Sequence, residues 1–556
     1  MEEQEYIVSL KNFEDLEEFY DDMETSGGTL YIPDRIVDCS VRRAISRNTH
    51  YTLTESEATQ LRKDPRVLTV ERLPKDRGIE TTPFWTQGPA AFEKSSAIDQ
   101  ADKNWGLLRL IEGGPYSSWG TDGAFTQRNA TIQTTSSGKD VDIVIVDAHI
   151  NRLHPEFAVN ADGTGGSRVI QFDWFSLSEY LDIPTTGAYN YSVSVRSNHG
   201  THVAGTAAGN TQGWARDSNI YYIEFNYTAA GGTFTPGSWD LYLFDYIRAF
   251  HLTKPINPST GRRNPTICNN SWGYSYGNIS LGDIFQVQYR GVISSLANLS
   301  TVTKKSALEE SGVPVPFDTY LFKTPARVTA LDLDVADAIE DGVIIVGSAG
   351  NSYWNCARPG TADYNNTVTA GQQIFHSRGS SPSAAEGAIC VGSVGARAIE
   401  YKSTFSNYGN RIDAWAPGSN IISGVFDASA ASEFGITLAF DPRDPNYRIG
   451  SISGTSMSGP QISGLLACLA EQFPNMSQSQ ALSYLQTKSR TGQVISSGGN
   501  AGDYTSLGDA TTGTTTKHAL YNYERPLVGH VTPKPNFGLR ATSGQTFPRF
   551  ITQRTK

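Results

Sequence analysis

Four short apolar runs rich in β-branched residues constrain this chain more than any other feature: "VDIVIVDA" (141–148), "IYYIEF" (220–225), "GVIIVGSAG" (342–350) and "AICVGSVG" (388–395). None shows the steady polar alternation of a strand with one wet face, and helical stretches such as "DLYLFDYIRAF" and "ALDLDVADAIEDG" stand between them. Runs buried on both faces and separated by helices predict a mainly parallel sheet in an α/β domain. Functional groups collect at the carboxyl ends of such strands. Asp147 directly follows "VDIVIV" and Asn351 directly follows "VIIVGSAG", so both belong to that rim.

With 556 residues the chain exceeds what one small core needs, and its texture divides it. Residues 1–75 read as a small α+β unit. "YIVSL" is a strand, Asn12 caps a helix that turns Phe13, Leu16, Tyr20 and Met23 to one face, and "HYTLTESEATQLRKDPRVLTVE" gives strand, helix and strand. Thr54 with Glu57 forms a capping-box signature for the second helix. Residues 76–103 lack periodicity and read as an exposed linker, 104–500 carry the α/β texture, and 501–556 form a Thr-, Gly- and Pro-rich extension of unknown role.

The net charge of −11, with no clustered Lys or Arg, argues against a nucleic-acid partner. No apolar run approaches the length of a membrane span. The acidic opening "MEEQEYIVSLKNFEDLEEF" is unlike a secretory signal, an expectation of cytosolic synthesis that leaves the final location open. Five scattered cysteines without C-x-x-C spacing indicate neither a zinc site nor a dense disulfide framework, and Cys468 reads as a small core residue.

"ISGTSMSGPQISGLLACL" (452–469) sets Ser456 ahead of an apolar helix that contains Pro460 in its first turns. Proline has no N–H for the carbonyl of Ser456, so the chain is irregular where the hydroxyl stands. A lone serine there reads most simply as a helix cap; chemistry needs partners. "NHGTHVAGTAAG" (198–209) supplies one, with His199 at the start of another small-residue helix. Asp147, His199 and Ser456 make a nucleophilic set: His takes the hydroxyl proton and Asp holds the ring. Asn351 supplies an amide for the oxyanion, together with the Ser456 backbone N–H.

The motifs "VIVDAHI", "NHGTHVAG", "SWG", "SAGN", "STFSNYG", "WAPGSNI" and "GTSMSGP" stand in the order found in the subtilisin-like serine proteases, and "NWGLLRL" (104–110) is similar to the opening of their mature chains. The resemblance covers roughly residues 104–490. It implies a subtilisin-like sheet flanked by helices and a serine endopeptidase that acts on polypeptides through Asp147, His199, Ser456 and Asn351. It also implies that Ser271, Trp272 and Gly273 pair with substrate, that Ser348, Ala349 and Gly350 wall the first specificity pocket, and that a second pairing edge lies near Gly231 and Gly232. Recognition through backbone hydrogen bonds makes selectivity broad, with an apolar preference beside the cut.

The N-terminal unit resembles the family's inhibitor-type propeptide, an intramolecular inhibitor whose tail (72–103) would lie in the cleft and be cut there. A permanent regulatory domain is the other reading. The chemistry needs no cofactor. Calcium is common in the family, but "NADGTGG" (160–166) is more simply an Asp-Gly turn, so metal stays unassigned. His202, three residues after His199, reads as a helix residue packing under the site rather than a metal ligand.

Two features depart from the family. Ala148 and His149 replace the usual Ser or Thr followed by Gly, which removes a hydroxyl beside Asp147, and the stretch between Gly273 and Asn351 is long. A catalytically weak or inactive binding protein on the same fold, for example in a virus particle, is the alternative; intact Asp147, His199, Ser456 and Asn351 speak against it. An esterase-type hydrolase needs Gly-x-Ser-x-Gly, but the fifth place is Ser458, and the triad order differs.

Overall fold

The computed structural model describes residues 3–32, 42–83, 106, 107, 110, 130–134, 136–191, 197–227, 233–234, 238–321, 323–395, 402–488 and 528–533. At its centre is a seven-stranded sheet in the order Ala414–Pro417, Ile389–Val394, Ile344–Ser348, Thr266–Asn270, Asp142–Asp147, Asn219–Glu224, Val169–Ile170. All neighbours in it run parallel. The expected mainly parallel α/β sheet is present, and the four apolar runs supply four of its strands.

Alternate residues point to opposite faces, which explains why those runs are apolar throughout. Ile143 and Ile145 enter a core shared with Val203, Ala207, Ile462 and Leu466. Val144 and Val146 enter the other, shared with Tyr246, Ile247, Leu331 and Val335. Each such side chain contributes about 1.5–3 kcal/mol on full burial. The helices Asn198–Ala208 and Thr455–Gln472 therefore cover one face, and Leu243–Thr253 and Thr329–Glu340 the other.

The strand Thr266–Asn270 ("TICNN") carries no apolar signature at its carboxyl end, yet it is central. Its asparagines are fully buried and satisfied: Asn269 Nδ2 donates to Ser271 Oγ at 3.0 Å, and its oxygen accepts from Ser463 Oγ at 2.8 Å. Asn270 Nδ2 donates to Val346 O at 3.3 Å.

Near the N-terminus, Gln4–Leu10 pairs antiparallel with Asn48–Leu53 on one side and Val67–Arg72 on the other. The helices Leu16–Glu24 and Glu55–Leu61 close a separate core around Tyr6, Val8, Phe19 and Tyr51. The capping box is formed, with Glu57 N–H on Thr54 Oγ1 at 3.4 Å and Thr54 N–H on Glu57 Oε2 at 2.7 Å. The first helix differs from expectation. Asn12 makes no cap to the backbone; its amide donates to Asp15 Oδ2 at 3.0 Å. A 3₁₀ turn (Phe13–Asp15) precedes the helix and leaves Phe13 43% exposed while Leu16, Phe19, Tyr20 and Met23 are buried.

The segment read as a linker is partly ordered into structure: a turn at Pro74–Arg77 leads into the strand Ile79–Pro83, which pairs antiparallel with Trp272–Tyr276. Its remainder (84–103) lies outside the described residues. Of the stretch "NWGLLRL", Leu107 and Leu110 sit in the sheet's core. Of 501–556, Val528–Pro533 pairs antiparallel with Ala130–Thr134. The long stretch after Gly273 builds the strands Gln286–Tyr289 and Val292–Ser295 and the helix Thr301–Glu310 around its own small core, which includes Leu281, Val287, Leu308 and Trp354. Among the described residues no helix is long and apolar enough to cross a membrane.

Candidate active site

Asp147 ends its strand fully buried. His199 is the second residue of the helix Asn198–Ala208, whose N-terminus is capped by Ser197 Oγ accepting from Gly200 N–H at 3.4 Å. The two side chains meet: His199 Nδ1 lies 2.9 Å from Asp147 Oδ1. This closeness requires glycine at 200, where a Cβ would stand 2.4 Å from Ala148 O and 3.1 Å from Asp147 Oδ1. With Nδ1–H donated to the carboxylate, the ring presents an Nε2 lone pair outward, and Nε2 has no partner among the described residues.

Ser456 is the second residue of the helix Thr455–Gln472. This helix crosses the His199 helix so closely that a Cβ at Gly464 would come 2.2 Å from Ala207 O. The small residues that fill both helices are the condition for that approach. Ser456 Oγ donates to Ser271 O at 3.1 Å, and Ser271 Oγ donates to Ser456 O at 3.0 Å. The second bond answers the irregularity read from Pro460: the carbonyl that the proline cannot serve is satisfied from the neighbouring strand.

Asn351 acts first as a cap. Its Oδ1 accepts from Thr455 N–H at 2.9 Å and Thr455 Oγ1 at 2.8 Å. These donors fix the amide's orientation and turn Nδ2 away from the helix. Nδ2 is buried without a partner among the described residues. A donor held this way is preorganised for an anionic oxygen. Ser348 Oγ donates to Thr455 O at 2.8 Å and Gly350 N–H to Thr455 Oγ1 at 3.1 Å, so Ser348, Ala349 and Gly350 run directly beneath the same helix start. Trp272 is buried and stacks on Phe225 at 5.3 Å, while Gly273 pairs with Thr82. Gly231 and Gly232 lie outside the described residues.

Beside Asp147 the missing hydroxyl has a visible effect. Ala148 N–H donates to Asp147 Oδ1 at 2.8 Å, but Oδ2 is buried with no partner among the described residues. His149 turns to Glu224, Nδ1 to Oε1 at 2.9 Å. The pair was not read from sequence. Its signal was the register, because Asp147 and Glu224 stand opposite each other at neighbouring strand ends. Thr455, which holds Asn351, was missed for want of any signal beyond its place before Ser456.

His202 packs under the site, with Nε2 on the carbonyls of Ile421 at 2.9 Å and Gly450 at 3.2 Å. Burial pushes its pKa down to about 3, which keeps the ring neutral. In "NADGTGG" Asp162 Oδ1 accepts from Thr164 N–H at 2.9 Å and Oγ1 at 2.6 Å, an exposed Asx turn. Among the described residues no three His, Cys, Asp or Glu side chains converge as a metal site. Glu156 is buried and spends its oxygens on Thr211 N–H at 3.0 Å, Gln212 N–H at 3.1 Å, Thr211 Oγ1 and Arg443. Burial pushes its carboxyl up, but Arg443 and the Thr211 donors outweigh that and hold it near 2.

The sequence profile described as the Subtilase family matches residues 138–515, more than half of the chain. The chain belongs to the subtilase family. Among its relatives, the alkaline serine exoprotease A of Vibrio alginolyticus is 24% identical over 452 residues, covering 81% of this chain and 56% of the relative. The extracellular serine proteinase of Thermus sp. (strain Rt41A) is 25% identical over 448 residues, covering 80% and 71%. The chain thus spans little more than half of the first relative's length and under three quarters of the second's. Among solved structures, a cold adapted subtilisin-like serine proteinase aligns over 76% of this chain and 98% of its own at 21% identity with a TM-score of 0.40. Fervidolysin from Fervidobacterium pennivorans aligns over 88% and 57% at 16% identity with a TM-score of 0.46. As a subtilase the chain is a member of a serine-protease family.

Proposed function

We propose that this subtilase is an endopeptidase that hydrolyses polypeptides through Asp147, His199 and Ser456, and that it is made as a self-processing precursor. The observation that carries the reading is the 2.9 Å contact of His199 with Asp147 at the strand end, on the same helix-covered rim as Ser456 and Asn351. In the structure Ser456 Oγ rests on Ser271 O, so the reaction starts with a rotation of the serine toward His199 Nε2. His199 then takes the hydroxyl proton, Asp147 stabilises the imidazolium, and Oγ attacks the scissile carbonyl. Asn351 Nδ2 and the Ser456 N–H receive the oxyanion; the amine leaves with the proton, and water hydrolyses the acyl-enzyme.

The precursor reading is supported by the strand Ile79–Pro83, which occupies the outer edge of Trp272–Tyr276 where an extended substrate would pair. The N-terminal unit would thereby act as an intramolecular inhibitor. An independently cored unit docked on a slow-folding parallel sheet also suits a folding template.

Intact masses of the wild-type chain and Ser456→Ala, followed over time, test both parts. The expected result is that the wild type loses the mass of its first 84–103 residues while Ser456→Ala stays whole, since removing such a serine costs on the order of 10⁶-fold in rate. If both chains stay whole but a peptide is cleaved, the N-terminal unit is a permanent regulatory domain. If neither the chain nor any peptide is cut, the protease reading fails and a binding role takes its place.

A further inference from the structure

Arg411 is a buried charge that the chemistry above does not use. One of its nitrogens is surrounded by main-chain oxygens: Nη2 donates to Ala385 O at 2.7 Å, to Ala388 O at 2.8 Å and, more weakly, to Ser383 O at 3.4 Å. Nε donates to Ala384 O at 3.4 Å, and Nη1 donates to Asp413 Oδ2. Four carbonyls of one turn, 383–388, and the carboxylate that precedes the strand Ala414–Pro417 therefore face a single cation. A buried salt bridge of the usual kind looks different: Arg443 spends its hydrogen bonds on the carboxylates of Asp441 and Glu156.

Carbonyl dipoles aimed at one point repel one another, so a turn of this shape needs a positive charge at its centre. Carbonyls with a carboxylate are also the donor set of calcium, which is common in the family. The residues present do not fit the ion here, because a guanidinium already takes up these oxygens. Burial works against that charge, but Asp413 outweighs it and lifts Arg411 above the ordinary arginine range. The turn bears on the candidate site. Ser381, at its start, accepts the Tyr274 N–H on its carbonyl at 3.0 Å. Ser383 packs so closely on Gly347 that a Cβ there would stand 2.4 Å from Ser383 Oγ. The turn thus braces both Trp272–Tyr276 and Ile344–Ser348.

We propose that Arg411 is the resident cation of the turn 383–388, a side chain in the place of a calcium ion, so that this part of the fold needs no metal. This holds whether or not the chain cleaves peptides. A tethered cation neither dissociates nor yields to a chelator, unlike a bound ion. Asp413 keeps a second cation, Arg358, on Oδ1 at 2.6 Å and the Cys390 N–H on Oδ2 at 2.8 Å, so removing Arg411 strands the carbonyls rather than the carboxylate. The cage left behind is a set of carbonyls with one carboxylate that a calcium ion can enter.

Thermal unfolding in EDTA and in calcium tests this, on the full chain carrying Ser456→Ala so that no cleavage intervenes. Adding Arg411→Ala is expected to lower the midpoint by about 5–10 °C in EDTA, with about half of the loss regained in about 10 mM CaCl₂ beyond any effect of calcium on the parent chain. A further Asp413→Asn is expected to abolish the regain. A loss that calcium leaves untouched, or a regain that survives Asp413→Asn, overturns the proposal. Should the alanine variant fail to fold, Arg411→Lys and Arg411→Met decide, since one keeps a charge in the cage and the other only a side chain of similar length. The lysine variant is expected to unfold about 3–6 °C above the methionine variant, and equal midpoints overturn the proposal.

Discussion

At the scale of single residues, Asp147 is the unusual one. A buried carboxylate normally has both oxygens engaged, yet Oδ1 takes His199 and the Ala148 N–H while Oδ2 has no partner among the described residues. The carboxylate is thus anchored through Oδ1 alone. Ala148→Ser puts a hydroxyl on the residue next to this carboxylate. The expected outcome is a rise of about 3- to 10-fold in kcat/KM on a peptide substrate, with the same cleavage sites. A fall in kcat/KM would show that the loop around His149 and Glu224 has been rebuilt for alanine. The ring of His149, at the position where the family usually has glycine, is carried by Glu224 and by edge contact with Tyr222 at 5.7 Å.

At the scale of elements, the decisive unit is the start of the helix Thr455–Gln472. Three side chains from two neighbouring segments hold it: Asn351 on Thr455 N–H and Ser348 on Thr455 O from one, and Ser271 on Ser456 O from the other. Pro460 makes the last of these necessary, because the helix cannot satisfy the Ser456 carbonyl internally. A double-mutant cycle checks the dependence. Ser271→Ala should cost about 1–3 kcal/mol in denaturant unfolding and most of the activity, since a buried carbonyl loses its donor beside the proposed nucleophile. Pro460→Ala restores an N–H at position 460, so the double variant should lose less stability than Ser271→Ala alone, a coupling of about 1 kcal/mol. Additive costs would mean that the two residues act independently. Proline is thus a device for opening the helix just where the adjacent strand must reach in.

At the scale of the whole molecule, the N-terminal unit is fastened to the α/β body by buried charge. The Arg43 side chain is 1% exposed; its guanidinium donates to Asp245 Oδ2 at 2.6 Å, to Asp334 Oδ2 at 2.8 Å and to Leu241 O at 3.0 Å, and stacks over Tyr242. Asp245 and Asp334 belong to the two helices on that face of the sheet, so one side chain ties both to the small unit. Burial pushes the Asp245 carboxyl up against the pull of Arg43, a sign of how much the pair depends on its partner. Removing one member of such a set typically costs 3–5 kcal/mol because the charge left behind is uncompensated. In the protein processed as proposed, Arg43→Ala should release the N-terminal fragment from the body on size exclusion, with affinity about 10²- to 10⁴-fold weaker. Arg62→Ala, whose partners Glu55, Thr59 and the Val70 carbonyl all lie within the small unit, should leave the fragment bound. Equal retention by both would place the binding energy in the apolar contacts of Ile7, Leu73 and Ile79 instead.

The amino-acid sequence by itself determined the parts governed by local pattern. Strands buried on both faces must be apolar along their length, helices that cross closely must be small, and Asp147, His199, Asn351 and Ser456 stand at element ends that chain order alone reveals. Where polarity is paired within the interior the pattern disappears, as in the central strand ending in Asn269 and Asn270. Only the tertiary structure decided which distant groups answer one another: Ser271 for the carbonyl above Pro460, Glu224 for His149, Thr455 for Asn351, Arg43 for Asp245 and Asp334, and Ile79–Pro83 for the open edge of Trp272–Tyr276. Each is a long-range pairing of a polar group with its complement. Such pairings leave no periodicity in the chain, because the partner is chosen by position in space and not by distance along the sequence.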